Sequence, residues 1–205
     1  MKYIIMCGGG LHGWDAPRQL SEINGEPIIA RTVRLLRENG IDDIAITAND
    51  NRFRKYAPVL NYDSSGTWVN CFMPTESPVC YLMGDVVFSP YAIQTIVETE
   101  KDGIQMFGSA PPYSSDYMKP WEESFAFKVW DTKRFREAVD FVKAHERYFM
   151  REPLAWELWQ VIQGTQYNVV LHDYIAINDY TCDVDSREDL PKLERIIQKY
   201  EVKHG

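Results

Sequence analysis

Three short segments hold side chains whose types and spacing suit phosphate and metal chemistry. The first is Cys7-Gly8-Gly9-Gly10-Leu11-His12-Gly13, with Pro17-Arg18-Gln19-Leu20 close behind. Consecutive glycines let backbone N–H groups close in on an anion, since no Cβ stands in the way and unusual dihedrals are open. Arg18 adds one cation. The segment has neither the Gly-Lys-Ser/Thr ending of a P-loop nor a complete dinucleotide fingerprint, so by itself it is a general phosphate cradle. The second segment is Gly84-Asp85, after the apolar run Val79-Cys80-Tyr81-Leu82-Met83. Mg2+ takes one or two carboxylates and fills its octahedron with phosphate oxygens and water, so it needs an aspartate facing the phosphates. A turn aspartate is the plain alternative. The third segment is Cys182-Asp183-Val184-Asp185-Ser186-Arg187-Glu188-Asp189. There Ser186 suits a helix N-cap, and Glu188 and Asp189 favour the first turn.

The elements that must position these residues alternate in type. Lys2 to Cys7 reads as a buried parallel strand. Ile28 to Glu38 carries apolar residues at helical spacing, and Asn39-Gly40 closes it. Ile44 to Thr47 is the next strand. Residues 52–78 read as irregular, and 79–83 as a strand. Helix is expected from Tyr91 to Thr99, and strands at 104–107 and 125–130. Helices follow at 133–145 and 153–163, a strand at 167–171, and an amphipathic helix at 188–200. Alternating strands and helices predict an α/β chain with a mostly parallel sheet. In such a sheet ligands collect beyond the carboxyl ends of the strands, where all three segments would meet.

Bulk properties narrow the partners. The 205 residues suit a single domain spanning 1–205, and 45% hydrophobic residues are ample for its core. The net charge is −8, with Lys and Arg dispersed. A nucleic-acid footprint is therefore not expected. No run approaches the roughly 20 apolar residues of a membrane span. Cys7, Cys71, Cys80 and Cys182 lack paired spacing, which favours reduced thiols in the cytoplasm over a disulfide framework or zinc site.

Taken in order, Cys7-Gly8-Gly9, Pro17-Arg18-Gln19-Leu20 and Ile23-Asn24-Gly25-Glu26-Pro27-Ile28-Ile29 resemble the opening of the sugar-phosphate and alditol-phosphate nucleotidyltransferases. Tyr81-Leu82-Met83-Gly84-Asp85 resembles that family's metal-binding Gly-Asp. Asp183-Val184-Asp185-Ser186 resembles the closing segment of its cytidylyltransferases, and Lys119-Pro120 with Ser124-Phe125-Ala126-Phe127 a compressed form of its Lys-Pro motif. The resemblance implies a three-layer α/β/α, Rossmann-like nucleotidyltransferase fold with a mixed, mostly parallel sheet. It implies transfer of a nucleoside monophosphate from an NTP to a phosphorylated sugar, alditol or choline acceptor, with pyrophosphate released. By the same resemblance residues 7–13 and Arg18 hold the triphosphate, Asp85 and Asp185 hold Mg2+, and Lys119 holds the acceptor phosphate. The closing segment favours CTP. Two departures stand out: the loop is shorter and lacks the family's central Arg or Lys, and Arg18 replaces a lysine. Arginine keeps the charge but binds phosphate as a planar fork. A nucleotide-sugar-dependent glycosyltransferase of related fold, and a non-catalytic nucleotide-binding protein, are the alternatives.

Arg147 and Arg151 are further cations that could meet an acceptor phosphate, on nothing beyond their charge. Trp156 and Trp159 read as core or as a homodimer contact.

Overall fold

Strand β1 (Lys2–Met6) is apolar on both faces, and it lies inside the sheet with a parallel neighbour on each side. The computed structural model describes residues 1–11, 13–65, 67–109, 119, 121–145, 153–165 and 173–204. After β1 come the two-residue strands β2 (Glu22–Ile23) and β3 (Glu26–Pro27), helix α1 (Ile28–Glu38), β4 (Ile44–Thr47) and β5 (Val59–Leu60). Next are β6 (Val79–Met83), β7 (Val86–Val87), α2 (Pro90–Glu98), β8 (Ile104–Ser109) and β9 (Glu123–Val129). The chain then forms α3 (Thr132–His145), α4 (Ala155–Gln163), β10 (Ile175–Ala176), β11 (Cys182–Asp183) and α5 (Asp189–His204).

Among the described residues the main sheet runs β10-β8-β9-β6-β1-β4-β5. Only β9 runs against the others, since it pairs antiparallel with both β6 and β8 while the other pairs are parallel. The sheet is mixed and mostly parallel, as expected. Side-chain alternation along β1 shows the layers. Tyr3 and Ile5 pack with Ile29, Val33, Ile93 and Ile96 of α1 and α2. Ile4 and Met6 pack on the opposite face with Phe135, Val139, Leu158 and Trp159 of α3 and α4. A third cluster joins Ile23 and Ile28 to Val87, Cys182, Val184, Leu193 and Ile197, which seats α5 on the β2–β3 hairpin.

Local signals explain the boundaries. Ser89 caps α2 by accepting from the Ala92 N–H at 2.9 Å, with Pro90 at the first helical position. Gly40 closes α1 at φ 77°, a left-handed conformation that costs glycine little. The stretch expected to be irregular holds β5 and 3-10 turns at Asn51–Lys55 and Trp68–Cys71. These elements are too short for a periodic signal. The strand expected at 167–171 lies outside the described residues, as do Arg147 and Arg151. Among the described residues no helix is long and apolar enough to cross a membrane. All four cysteines are free and buried.

Lys128 links the sheet to α2. It is buried in the middle of β9, and its ammonium donates to the carbonyls of Ile96, Val97 and Thr99 at 2.8, 2.8 and 2.7 Å. A cation there closes the orphan carbonyls at the negative end of the helix. Burial pulls the ammonium below the usual lysine range, and the carbonyl cradle is its compensation. Lys128→Met keeps the aliphatic stem and strands three carbonyls. It should cost about 2–4 kcal/mol, read as a fall in Tm of roughly 5–15 °C by calorimetry. An unchanged Tm would show that the cradle is not a structural support.

Candidate functional site

The carboxyl ends of β1 and β6 meet where Gly84 donates its N–H to the Met6 carbonyl at 3.0 Å. A Cβ on Gly84 would lie 2.4 Å from that oxygen, so only glycine allows so close an approach. The contact sets Asp85 beside the glycine loop that follows β1. Asp85 in turn accepts, through its backbone carbonyl, the Val184 N–H at 2.9 Å. The antiparallel pairing of β7 with β11 places Asp183 opposite Val86. Two residues on, Asp185 reaches the same place.

Arg18 stands between the carboxylates. It lies at the start of a 3-10 turn, 3.6 Å from Asp85 and 3.5 Å from Asp185, and donates to the Val184 carbonyl at 3.0 Å. The glycine loop, Asp85 and the closing acidic segment thus face one cavity of about 390 Å3, whose lining includes Gly8, Gly9, Arg18, Asp85, Asp183 and Asp185. Gly10, Leu11 and Gly13 are exposed on the outer part of the loop, Cys7 is buried beneath it, and His12 lies outside the described residues.

Lys119 sits deeper than a solvent lysine. Its ammonium lies 3.0 Å from Asp183, 2.5 Å from Asp185 and 3.8 Å from Asp189, and only 8% of the residue is exposed. Burial opposes its charge, but Asp183 and Asp185 outweigh burial and hold the ammonium above the usual lysine range. Asp189 opens α5, and its carboxylate accepts the N–H groups of Asp185 and Ser186 at 3.1 and 2.9 Å. The expected helix start is present, with Asp189 rather than Ser186 supplying the side-chain acceptor.

Side chains to which the sequence reading gave no individual role stand in and around the cavity. Glu123, the first residue of β9, has its Oε1 buried with no partner among the described residues. Glu123 and Asp183 share a hydrogen bond, and burial followed by that neighbour pushes Glu123 well above the usual carboxylate range. Burial also raises Asp183, with Lys119 opposing. Burial raises Asp85, with Arg18 the main opposing influence. Trp68, Trp121 and Trp156 supply indoles to the wall, while Trp159 is buried against Phe127. Tyr62 accepts the Gly9 N–H at 3.0 Å, and the Asn49 side chain holds the Tyr62 backbone in both directions, at 3.0 and 3.2 Å. No local pattern could have shown this, because Tyr62 and Gly9 are 53 residues apart.

Asp85 and Asp185 fit a hard divalent cation. Both offer carboxylate oxygens to the cavity, with side chains 26% and 52% exposed, and both lie within reach of one guanidinium. Among the described residues no group of three or more His, Cys, Asp or Glu forms a metal cage. Two carboxylates with phosphate oxygens and water are what Mg2+ uses at phosphate sites.

Comparison with known proteins agrees with this arrangement at the level of fold. No family model matches the chain, and no curated protein sequence does. A Bacillus anthracis protein assigned as a glucose-1-phosphate thymidylyltransferase, solved with a sucrose, superposes with a TM-score of 0.65 at 15% identity, over 95% of this chain and 94% of that one. The inositol-1-phosphate CTP transferase from T. maritima gives 0.60 at 13% identity, over 97% and 94%. A CTP:phosphocholine cytidylyltransferase from Streptococcus pneumoniae gives 0.57 at 17% identity, over 96% and 98%. The chain shares the α/β fold of these three structures.

Two measurements test the packing of the site. A Cβ at Gly8 would fall 2.0 Å from Cys71 Sγ and 2.7 Å from the Tyr62 ring. Gly8→Ala should therefore destabilise the protein by about 1–3 kcal/mol. Adding Cys71→Ala removes the nearest atom but leaves Tyr62, so thermal unfolding should show partial rescue; no rescue would place the strain elsewhere. The second test concerns Glu123 and Asp183. Both are raised in the fold, so the folded state binds more protons than the unfolded one and stability falls as pH rises past the ordinary carboxylate range. In metal-free buffer Tm should decline over that range. Glu123→Gln, which cannot lose the proton, should flatten the decline; parallel slopes would rule the pair out as its source.

Proposed function

We propose that this chain is a Mg2+-dependent nucleotidyltransferase that moves a nucleoside monophosphate from an NTP to a phosphorylated small acceptor. The observation that carries the reading is the convergence of the glycine loop, Arg18, Asp85 and Asp185 on one cavity at the carboxyl ends of β1 and β6. An acceptor phosphate oxygen attacks the α-phosphorus in line. The α–β bridging P–O bond breaks, and pyrophosphate leaves with the electron pair. No covalent enzyme intermediate is needed, and the work is positioning and charge neutralisation.

Each side chain has a part in that arrangement. Gly8 and Gly9 bring backbone close to the phosphates, and Arg18 offers a planar fork to two phosphate oxygens. Asp85 and Asp185 are the residues to hold Mg2+, which would offset charge on the triphosphate and the departing pyrophosphate. Lys119 receives the acceptor phosphate by exchanging one of its two nearest carboxylates, Asp183 or Asp185, for a phosphate oxygen. CTP is the favoured donor, on the strength of the closing acidic segment.

The test is pyrophosphate release with Mg2+, each of the four NTPs and a panel of sugar, alditol and choline phosphates. One NTP–acceptor pair should give signal, and Asp85→Asn and Asp185→Asn should each lower kcat by about 10^2 or more. Calorimetric titration of Mg2+ should lose, in the same variants, the heat in excess of Mg2+ binding to the NTP alone. Tight NTP binding without pyrophosphate for any acceptor would favour a nucleotide-binding protein without turnover. Transfer from an NDP-sugar without pyrophosphate would favour a glycosyltransferase.

A further inference from the structure

Arg18 bridges the same two acids that a divalent ion would bridge. Its Nε lies 3.6 Å from Asp85 Oδ2 and its Nη1 3.5 Å from Asp185 Oδ1, so one edge of the guanidinium spans the pair. A Mg2+ ion shared by both carboxylates draws an oxygen of each to about 2.1 Å. Guanidinium and metal cannot occupy that gap together, since each excludes the other by contact and by charge. In this structure the arginine holds it.

The hold is loose on the acids and firmer on the backbone. Both carboxylates stand beyond the roughly 2.7–2.9 Å of a close charge-assisted hydrogen bond. The Val184 carbonyl, by contrast, accepts from Nη1 at 3.0 Å. Arg18 is thus moored to the main chain, and its attraction to the two acids acts mostly through space. It faces the same cavity as Gly8 and Gly9, where an entering phosphate offers its fork two closer acceptors. Asp185 carries a second cation, because its other oxygen, Oδ2, lies 2.5 Å from the Lys119 ammonium. With a cation facing each of its oxygens, Asp185 has little to offer a metal until one of them is drawn off.

Resting on the reading that Asp85 and Asp185 are the metal ligands, we propose that Arg18 is a resident stand-in for the metal. It keeps the acid pair closed to free divalent ions until the phosphates of a nucleotide draw the guanidinium away. Metal and nucleotide then bind as a linked pair, each raising the affinity for the other, since coupling between two ligands is reciprocal. The side chain has two duties of opposite sign, holding triphosphate and excluding bare metal.

One substitution separates those duties. Mn2+, a hard ion that takes the same oxygen ligands as Mg2+ and is followed by EPR, is titrated into nucleotide-free wild type and Arg18→Met. Loss of the cation should tighten Mn2+ binding by about tenfold or more, and Mg2+ should displace the bound Mn2+. CTP binding in EDTA, followed by calorimetry, should weaken in the same variant by about tenfold. A protein that had merely lost its packing would bind both ligands worse. Arg18→Lys keeps the charge and should stay near wild type toward Mn2+. Adding Asp185→Asn to Arg18→Met should erase the gain, which would locate it on the acid pair. Arg18→Gln, which keeps a donor for the Val184 carbonyl, repeats the test should the Met protein unfold. Equal Mn2+ affinity in wild type and both neutral variants, whether high or absent, overturns the proposal. The metal-site reading outlives that result if the preformed Mn2+–CTP complex still binds wild type but not Asp85→Asn or Asp185→Asn. A gain in Mn2+ binding with no pyrophosphate from any NTP–acceptor pair upholds the stand-in role and sinks the transferase reading instead.

Discussion

Three carboxyl groups, those of Asp85, Asp183 and Asp185, crowd one corner of this molecule, with two cations threaded through it. Arg18 lies between Asp85 and Asp185, and Lys119 between Asp183 and Asp185. Remove either cation and the acids it stands between would face each other without a counter-charge. The rest of the structure is arranged around this constraint. The hydrogen bond from Gly84 to Met6 brings one acid in, the pairing of β7 with β11 brings the others, and Asp189 pins the turn between β11 and α5 through two backbone N–H groups.

The same crowding prepares the site for exchange. An ion pair inside a cavity is a contact a ligand can replace with one of equal charge, and both cations have a phosphate as the natural substitute for an aspartate. A divalent ion is the natural substitute for a guanidinium on the aspartate side. The geometry without ligands therefore already contains the charges that binding would redistribute.

Much of this was legible from sequence, for identifiable reasons. The long elements were, because β1, β6, α1 and α3 carry buried residues in runs or at helical spacing. Gly84-Asp85 could be singled out because it ends an apolar strand and resembles the nucleotidyltransferase Gly-Asp, and Asp183 to Asp185 by the resemblance alone. Glu123 was not legible, since it opens a strand whose next residues read as ordinary core. Tyr62 was not, since its role depends on β4 and β1 being neighbours and on Asn49 reaching across. The strands β7, β10 and β11 are two residues each and exist only through their partners. Trp156 read as core or contact surface; it packs against the core and also lines the cavity, while Trp159 is buried against Phe127.

The docking of α5 has a consequence for how the chain matures. That helix is seated on the β2–β3 hairpin through Leu193 and Ile197, and Glu194 accepts the Asn24 N–H at 2.9 Å, across 170 residues. On a ribosome the glycine loop, Arg18 and Asp85 emerge long before the segment carrying Asp183 and Asp185. The nascent sheet can form early from its first strands, yet the charge cluster closes only after residues near 197 have left the exit tunnel. Until then Arg18 lacks one of its two acids and the cavity lacks a wall. Vectorial synthesis thus separates formation of the scaffold from closure of the charge cluster.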